Sequence, residues 1–171
     1  MCDACVNILD AIKNNHMNCF KKFHKLNPNN LNKSVCRLAA EEGRLNLLRL
    51  AHHYNYPWDK STCEAAAIKG HLYCLKYAHE NGCPWDTQTC RNAVQSDDLS
   101  CLEYVHQNGC ELNDDIYFDA MRCSESCLEY IKKYYPISEE DKWFYEQPCY
   151  DSSEPEEEDQ NEYEEINYFL R

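Results

Sequence analysis

The stretch at residues 57–83, PWDKSTCEAAAIKGHLYCLKYAHENGC, decides the fold, because residues 84–86 are again Pro-Trp-Asp. The interval from Trp58 to Trp85 is 85 − 58 = 27 residues, and much of the chain keeps that offset. Cys36, Cys63 and Cys90 obey it, as do Ala39, Ala66 and Ala93, Gly43 and Gly70, Leu48, Leu75 and Leu102, and His52, His79 and His106. A fixed period of this length marks stacked repeats, none of which can bury its apolar face alone.

Each unit divides at its glycine. In the unit that starts at Asp59, this residue is placed to cap a helix, and Cys63, Ala66 and Ala67 form a small-residue stripe at helical spacing that ends before Gly70. From His71 onward, Leu72, Leu75 and Ala78 with Cys74 give a second apolar face, and Gly82 is suited to stop that helix. Only Cys83-Pro84-Trp85-Asp86 separates one helix pair from the next, and period-two alternation is absent, so no strand is expected in the joint. The expected fold class is therefore all-α: a solenoid of stacked helix hairpins without β-fingers, followed by an acidic disordered tail.

The repeats are read at residues 7–33, 34–59, 60–86, 87–113 and 114–137. Outside the central units the pattern loosens. In the first, Ala11, Cys19 and Phe20 match Ala39, Leu47 and Leu48 at an offset of 28, and residues 27–32, with Pro28, read as a loop. In the last, Cys127-Leu128-Glu129-Tyr130 matches Cys101-Leu102-Glu103-Tyr104 at an offset of 26, so one residue is lost between Cys123 and Ser126 and no glycine remains. Residues 138–149 read as a short C-terminal helix, and residues 150–171 as a tail too acidic to bury what ordering costs.

Charge narrows the function classes. The chain of 171 residues has a net charge of −13, but nine acids and one base lie within residues 150–171, leaving −5 for the rest. With no basic stripe there is no field to hold phosphates or anionic lipid, so neither nucleic acid nor membrane is an expected partner. No run of eighteen apolar residues and no basic-then-apolar leader occurs, which points to an intracellular, cytoplasmic protein. Thirteen cysteines are an odd number, and most fall at repeat-equivalent positions. In a reducing compartment they act as small buried hydrophobes, and that reading is favoured over disulfides.

The run Ala66-Ala67-Ile68-Lys69-Gly70-His71-Leu72, ending at Asn81-Gly82, resembles the helical part of the ankyrin repeat, with paired alanines, a Gly-His-Leu entry to the second helix and a terminal glycine. The usual ankyrin period is about 33, with a β-hairpin finger between units. Here the missing residues fall in the joint, and Ser61-Thr62-Cys63-Glu64 stands in place of the Thr-Pro-Leu-His signature. This shortened, Pro-Trp-Asp-linked form is similar to ankyrin-type repeats abundant in large cytoplasmic DNA viruses and some protists. For a viral protein the resemblance implies the host cytoplasm.

No Gly-rich phosphate loop, His-Glu-x-x-His or Gly-x-Ser-x-Gly motif is present, and neither catalysis nor a cofactor is expected. Cys2-x-x-Cys5 is the one metal-like pair, but two thiolates are half a tetrahedral site, so no metal is assigned. What remains is a monomeric, non-enzymatic protein-binding module, an adaptor acting on host proteins, with a cysteine-based metal or redox protein as the alternative. The ankyrin resemblance implies that the partner meets Glu41, Glu42, Ile68, Lys69, Gln95, Ser96 and Arg122, just before the inter-helix turn, and the joint residues Lys60, Thr87 and Asp114. In the tail, Ser153 and Tyr163 match kinase-site patterns.

Overall fold

A computed structural model describes residues 5–137, and Met1–Pro136 group into one compact unit. Within the described residues the protein is all-helical, with ten helices and no strand. In order these are α1 (Ile8–Lys13), α2 (Met17–Leu26), α3 (Ser34–Glu41), α4 (Leu45–His53), α5 (Lys60–Ile68), α6 (Leu72–Glu80), α7 (Thr87–Gln95), α8 (Leu99–Gln107), α9 (Asp114–Cys123) and α10 (Glu125–Tyr134). The segments expected at 138–149 and 150–171, with Ser153 and Tyr163, lie outside the described residues.

Consecutive helices pack in pairs, α1 on α2 through α9 on α10, and the pairs are linked through their first members. Thus α1, α3, α5, α7 and α9 form one row, each against the next, while α4, α6, α8 and α10 form another. The 27-residue offset shows up as columns of buried side chains. Ala39, Ala66 and Ala93 are completely enclosed between first helices, as are Cys36, Cys63 and Cys90, and Leu48, Leu75 and Leu102 are enclosed beneath the second row. Small residues let helices approach closely, whereas each enclosed leucine contributes about 1.5–3 kcal/mol relative to an exposed one.

Two kinds of chain reversal hold this arrangement. At the turn inside each of the first four pairs, Asn15, Gly43, Gly70 and Asp97 adopt φ between 55° and 64°. At Gly43 and Gly70 the next amides, Arg44 N–H and His71 N–H, reach back to the carbonyls of Ala39 and Ala66 at 2.8 Å, which closes the preceding helix. Glycine is required at position 43 for a second reason: a Cβ there would lie 2.8 Å from the His71 ring of the next pair. After the second helix, Asn55, Gly82 and Gly109 repeat the positive φ, and the amides of Tyr56, Cys83 and Cys110 return to Ala51, Ala78 and Val105. Asparagine and aspartate reach this conformation at modest cost, so the turn survives where glycine is absent.

Helix starts follow the sequence closely. Asp59 accepts from Ser61 N–H at 3.1 Å and Asp86 from Gln88 N–H at 3.0 Å, so the Asp of each Pro-Trp-Asp joint is a helix cap. Asn7 and Asp10 cap α1 reciprocally. In the fifth pair, the missing residue removes the left-handed turn altogether. Ser124, at φ −156°, ends α9 and begins α10, and its hydroxyl accepts from Cys127 N–H while bonding Asp97 of the previous pair.

Candidate functional site

The two ends of the helix pairs differ in chemistry. At the joint end, the recurring aromatic residues form one contact set used again and again. Nδ1 of His52 is hydrogen-bonded to the Tyr77 hydroxyl at 2.9 Å, His79 to Tyr104 at 2.9 Å, and His106 to Tyr130 at 3.0 Å. Each bond ties a second helix to the next one in its row. The indole of Trp58 stacks on His52 at 3.9 Å and that of Trp85 on His79 at 3.8 Å, with the tyrosine edge turned toward each indole. Lys76 Nζ lies 5.1 Å above the Tyr104 ring, a cation–π contact on the same assembly.

Substitutions at the outer pairs keep this set in altered form. In the first, His24 stacks on Tyr54 at 4.0 Å and its Nδ1 meets the Tyr56 hydroxyl at 3.3 Å. In the last, Leu112 occupies the tryptophan position, and Tyr134 takes its place beside His106. Trp58 and Trp85 are half-buried, and among the described residues the carbonyl partner that a buried indole N–H would need is not formed; stacking holds the rings instead. The three histidines are therefore structural parts of the joint.

Beneath the joints lie paired thiols. Cys63 is hydrogen-bonded to Cys83 and Cys90 to Cys110, and the thiols of Cys63 and Cys90 are pushed up by these bonds and by burial. Burial raises Cys36 and Cys101 to about 12 and Cys74 to about 11. These five raised thiols are protonated and shielded at neutral pH, the opposite of a reactive cysteine, whereas the bonds from Cys63 and Cys90 lower their partners Cys83 and Cys110.

The sequence-derived partner residues fall into two rows at opposite ends of the first helices. Glu41 and Glu42, Ile68 and Lys69, Gln95 and Ser96, and Arg122 stand at or next to the C-terminal ends of α3, α5, α7 and α9. Lys60, Thr87 and Asp114 are the first residues of α5, α7 and α9, so a nine-residue helix puts the rows about 12 Å apart. The joint-side row is partly committed to the scaffold. Lys60 Nζ reaches Asp86 at 2.6 Å and Glu64 at 3.6 Å, just as Lys33 reaches Asp59 at 2.9 Å, and the hydrogen bond from Lys33 lowers the Asp59 carboxyl to about 2. Asp114 accepts from the Tyr135 hydroxyl at 2.8 Å.

The turn-side row is more open: Lys69, Gln95 and Arg122 are exposed, while Glu41, Glu42, Ile68 and Ser96 are half-buried. Glu41 is paired with Arg37 at 2.8 Å, and the Ser96 hydroxyl donates to Ala93 O. Beside this row runs a depression of about 280 Å³ lined by Gly43, Gly70, His71, Tyr73, Asp98 and Ser100. Glu42 and Lys69 immediately precede its two glycines. Tyr73 is 75% exposed, the most exposed of the large aromatic side chains among the described residues. Repeat reading missed it because the 27-residue offset does not mark position 73. Its signal is a helical one: it lies off the α6 stripe of Cys74, Leu75 and Ala78, yet is aromatic.

Among the described residues one group could hold a metal ion: the ligand atoms of Cys5, His16 and Cys19 all lie within 4.8 Å of one another. No described helix is long and apolar enough to cross a membrane. Compared with known proteins, the chain matches no family model and no curated relative.

Proposed function

We propose that this protein is a non-enzymatic protein-binding module, an ankyrin-like solenoid of stacked helix hairpins that presents its inter-helix turns to a protein partner. The observation that carries this reading is the turn end. There Tyr73 stands exposed beside a depression whose His71, Asp98 and Ser100 offer hydrogen bonds, on a scaffold whose enclosed residues repeat. Tyrosine gives large contact area at low entropic cost and is enriched among residues that dominate binding energy. The varied turn residues around it can change without disturbing the core. As an ankyrin-type chain of the viral kind, it would act in the host cytoplasm as a monomeric adaptor on host proteins, with no nucleic acid or membrane involved.

The reading is tested by affinity capture with the full chain and with a chain lacking residues 150–171, each alongside two variants. Tyr73→Ala, and the triple change Glu42→Ala, Lys69→Ala and Gln95→Ala, are expected to lose the captured partner while keeping the wild-type melting temperature. Full capture by both well-folded variants would place the interface elsewhere.

A further inference from the structure

We propose that the first helix pair holds a structural zinc ion through Cys5, His16 and Cys19. The chain ahead of α1 returns to the turn end of its own pair, where Cys5 Sγ lies 3.2 Å from Nδ1 of His16. His16 is the N-cap of α2 and Cys19 is in its first turn, so residues three apart present their side chains together. The three ligand atoms fall within 4.8 Å of one another. Tetrahedral zinc with bonds of about 2.0–2.3 Å needs ligand separations of roughly 3.6–3.8 Å, so adjustments of about 1 Å complete the geometry.

Two sulfurs and one imidazole form a soft donor set that selects zinc over magnesium or calcium. Cys5 is 4% exposed, so one of the two thiolates is shielded from solvent. Asn14 Nδ2 points at Cys5 Sγ from 4.0 Å, the kind of outer donor that steadies a thiolate ligand. The N-terminal end of α2 adds favourable positive potential at Cys19. On binding, each cysteine S–H gives its proton to solvent and its sulfur lone pair to the metal, while His16 donates the Nδ1 lone pair as neutral imidazole. These three side chains fill three of zinc's four tetrahedral positions and leave one for an exogenous ligand such as water.

The repeats help to separate a metal site from scaffold. Position 16 is matched by His71 and position 19 by Cys74, but the residue that would correspond to Cys5 there is Lys60, at the joint end of α5. Two of the three ligands recur with the fold, and the third occurs where the chain doubles back. In the third pair, His71 instead packs over Gly43. The metal would fasten the segment before α1 to α2 in the pair with the shortest first helix.

The test uses the full untagged chain, reduced and purified without chelator. One zinc per chain is expected, and cobalt(II) in its place should give tetrahedral ligand-field bands with a thiolate-to-cobalt charge-transfer band. Cys5→Ser and Cys19→Ser should each cut that band by about half and weaken binding beyond the roughly 100-fold typical of outer-shell losses. Cys123→Ser, at an exposed thiol, should leave it unchanged. Chelator added to the wild-type chain should lower its melting temperature, a readout that needs no variant. A reduced wild-type chain that binds neither metal at micromolar free concentration would overturn the site, and a Cys5→Ser protein with an unaltered cobalt spectrum would overturn the ligand set.

Discussion

The joint end and the turn end of the helix pairs are built from the same repeats, yet they treat sequence in opposite ways. At the joints, His52, His79 and His106 meet Tyr77, Tyr104 and Tyr130 in one geometry, and Trp58 and Trp85 stack alike. At the turns, the equivalent positions 44, 71 and 98 carry arginine, histidine and aspartate, and positions 42, 69 and 96 carry glutamate, lysine and serine. A residue that recurs with the period is holding one unit to the next. A residue that varies at a fixed exposed place is available for recognition, since its neighbours do not depend on it. The contrast makes Tyr73 and Lys69 better candidates for binding than Trp85, despite the indole's larger surface.

The largest effect should come from the shared core. Leu75→Ala removes a fully enclosed side chain from the central pair and should cost about 2–5 kcal/mol, measured by denaturant unfolding. A cost below 1 kcal/mol, on the order of a surface change, would mean that the columns do not carry the stability.

Alkaline pH should come next. Cys36, Cys74 and Cys101 are raised from 9.0 to about 12, 11 and 12, chiefly by burial. The unfolded chain ionises these thiols near 9 while the folded one keeps them protonated, so their contribution is complete below about pH 9. It is lost as pH rises toward 11–12, at about 1 kcal/mol per thiol by pH 10. Melting temperatures at pH 7 and pH 10 check this, and equal values would show that the thiols ionise within the fold.

The joint prediction is smaller. Trp85→Ala removes a half-buried ring stacked on His79 and should cost about 2 kcal/mol, below the 3–5 kcal/mol of a fully enclosed aromatic. At the turn end the comparison predicts almost no effect on stability: Tyr73→Ala should shift it by less than about 0.5 kcal/mol while abolishing partner binding. A Tyr73 variant that unfolds would move this ring from the proposed recognition surface to the scaffold.

Much of the helical plan was legible because periodicity and capping are local. The 27-residue offset, the Asp59 and Asp86 caps and the turns at Gly43 and Gly70 all follow from residues near one another in sequence. Positive φ at Asn15, Asn55 and Asp97 was harder to read, since these residues accept that conformation without requiring it as a glycine signal does. The His–Tyr bonds join residues 24 or 25 apart on different helices, and no local pattern announces them. The Cys5, His16 and Cys19 cluster was half visible in Cys2-x-x-Cys5, but His16 and Cys19 looked like ordinary repeat residues until the chain before α1 was seen to fold back. The partner residues, inferred as a turn group and a joint group, lie in two rows at opposite ends of the first helices because helix length separates the joint from the turn.

The most direct measurement is site-specific photo-crosslinking in the native cell, with the reactive residue placed at position 73 on the turn end or at exposed position 107 on the joint end. Position 73 should yield a discrete adduct with one protein, lost when Lys69 and Gln95 are also changed, while position 107 yields none. An adduct from position 107 with none from position 73 would contradict the account and make the joints, not the turns, the recognition surface.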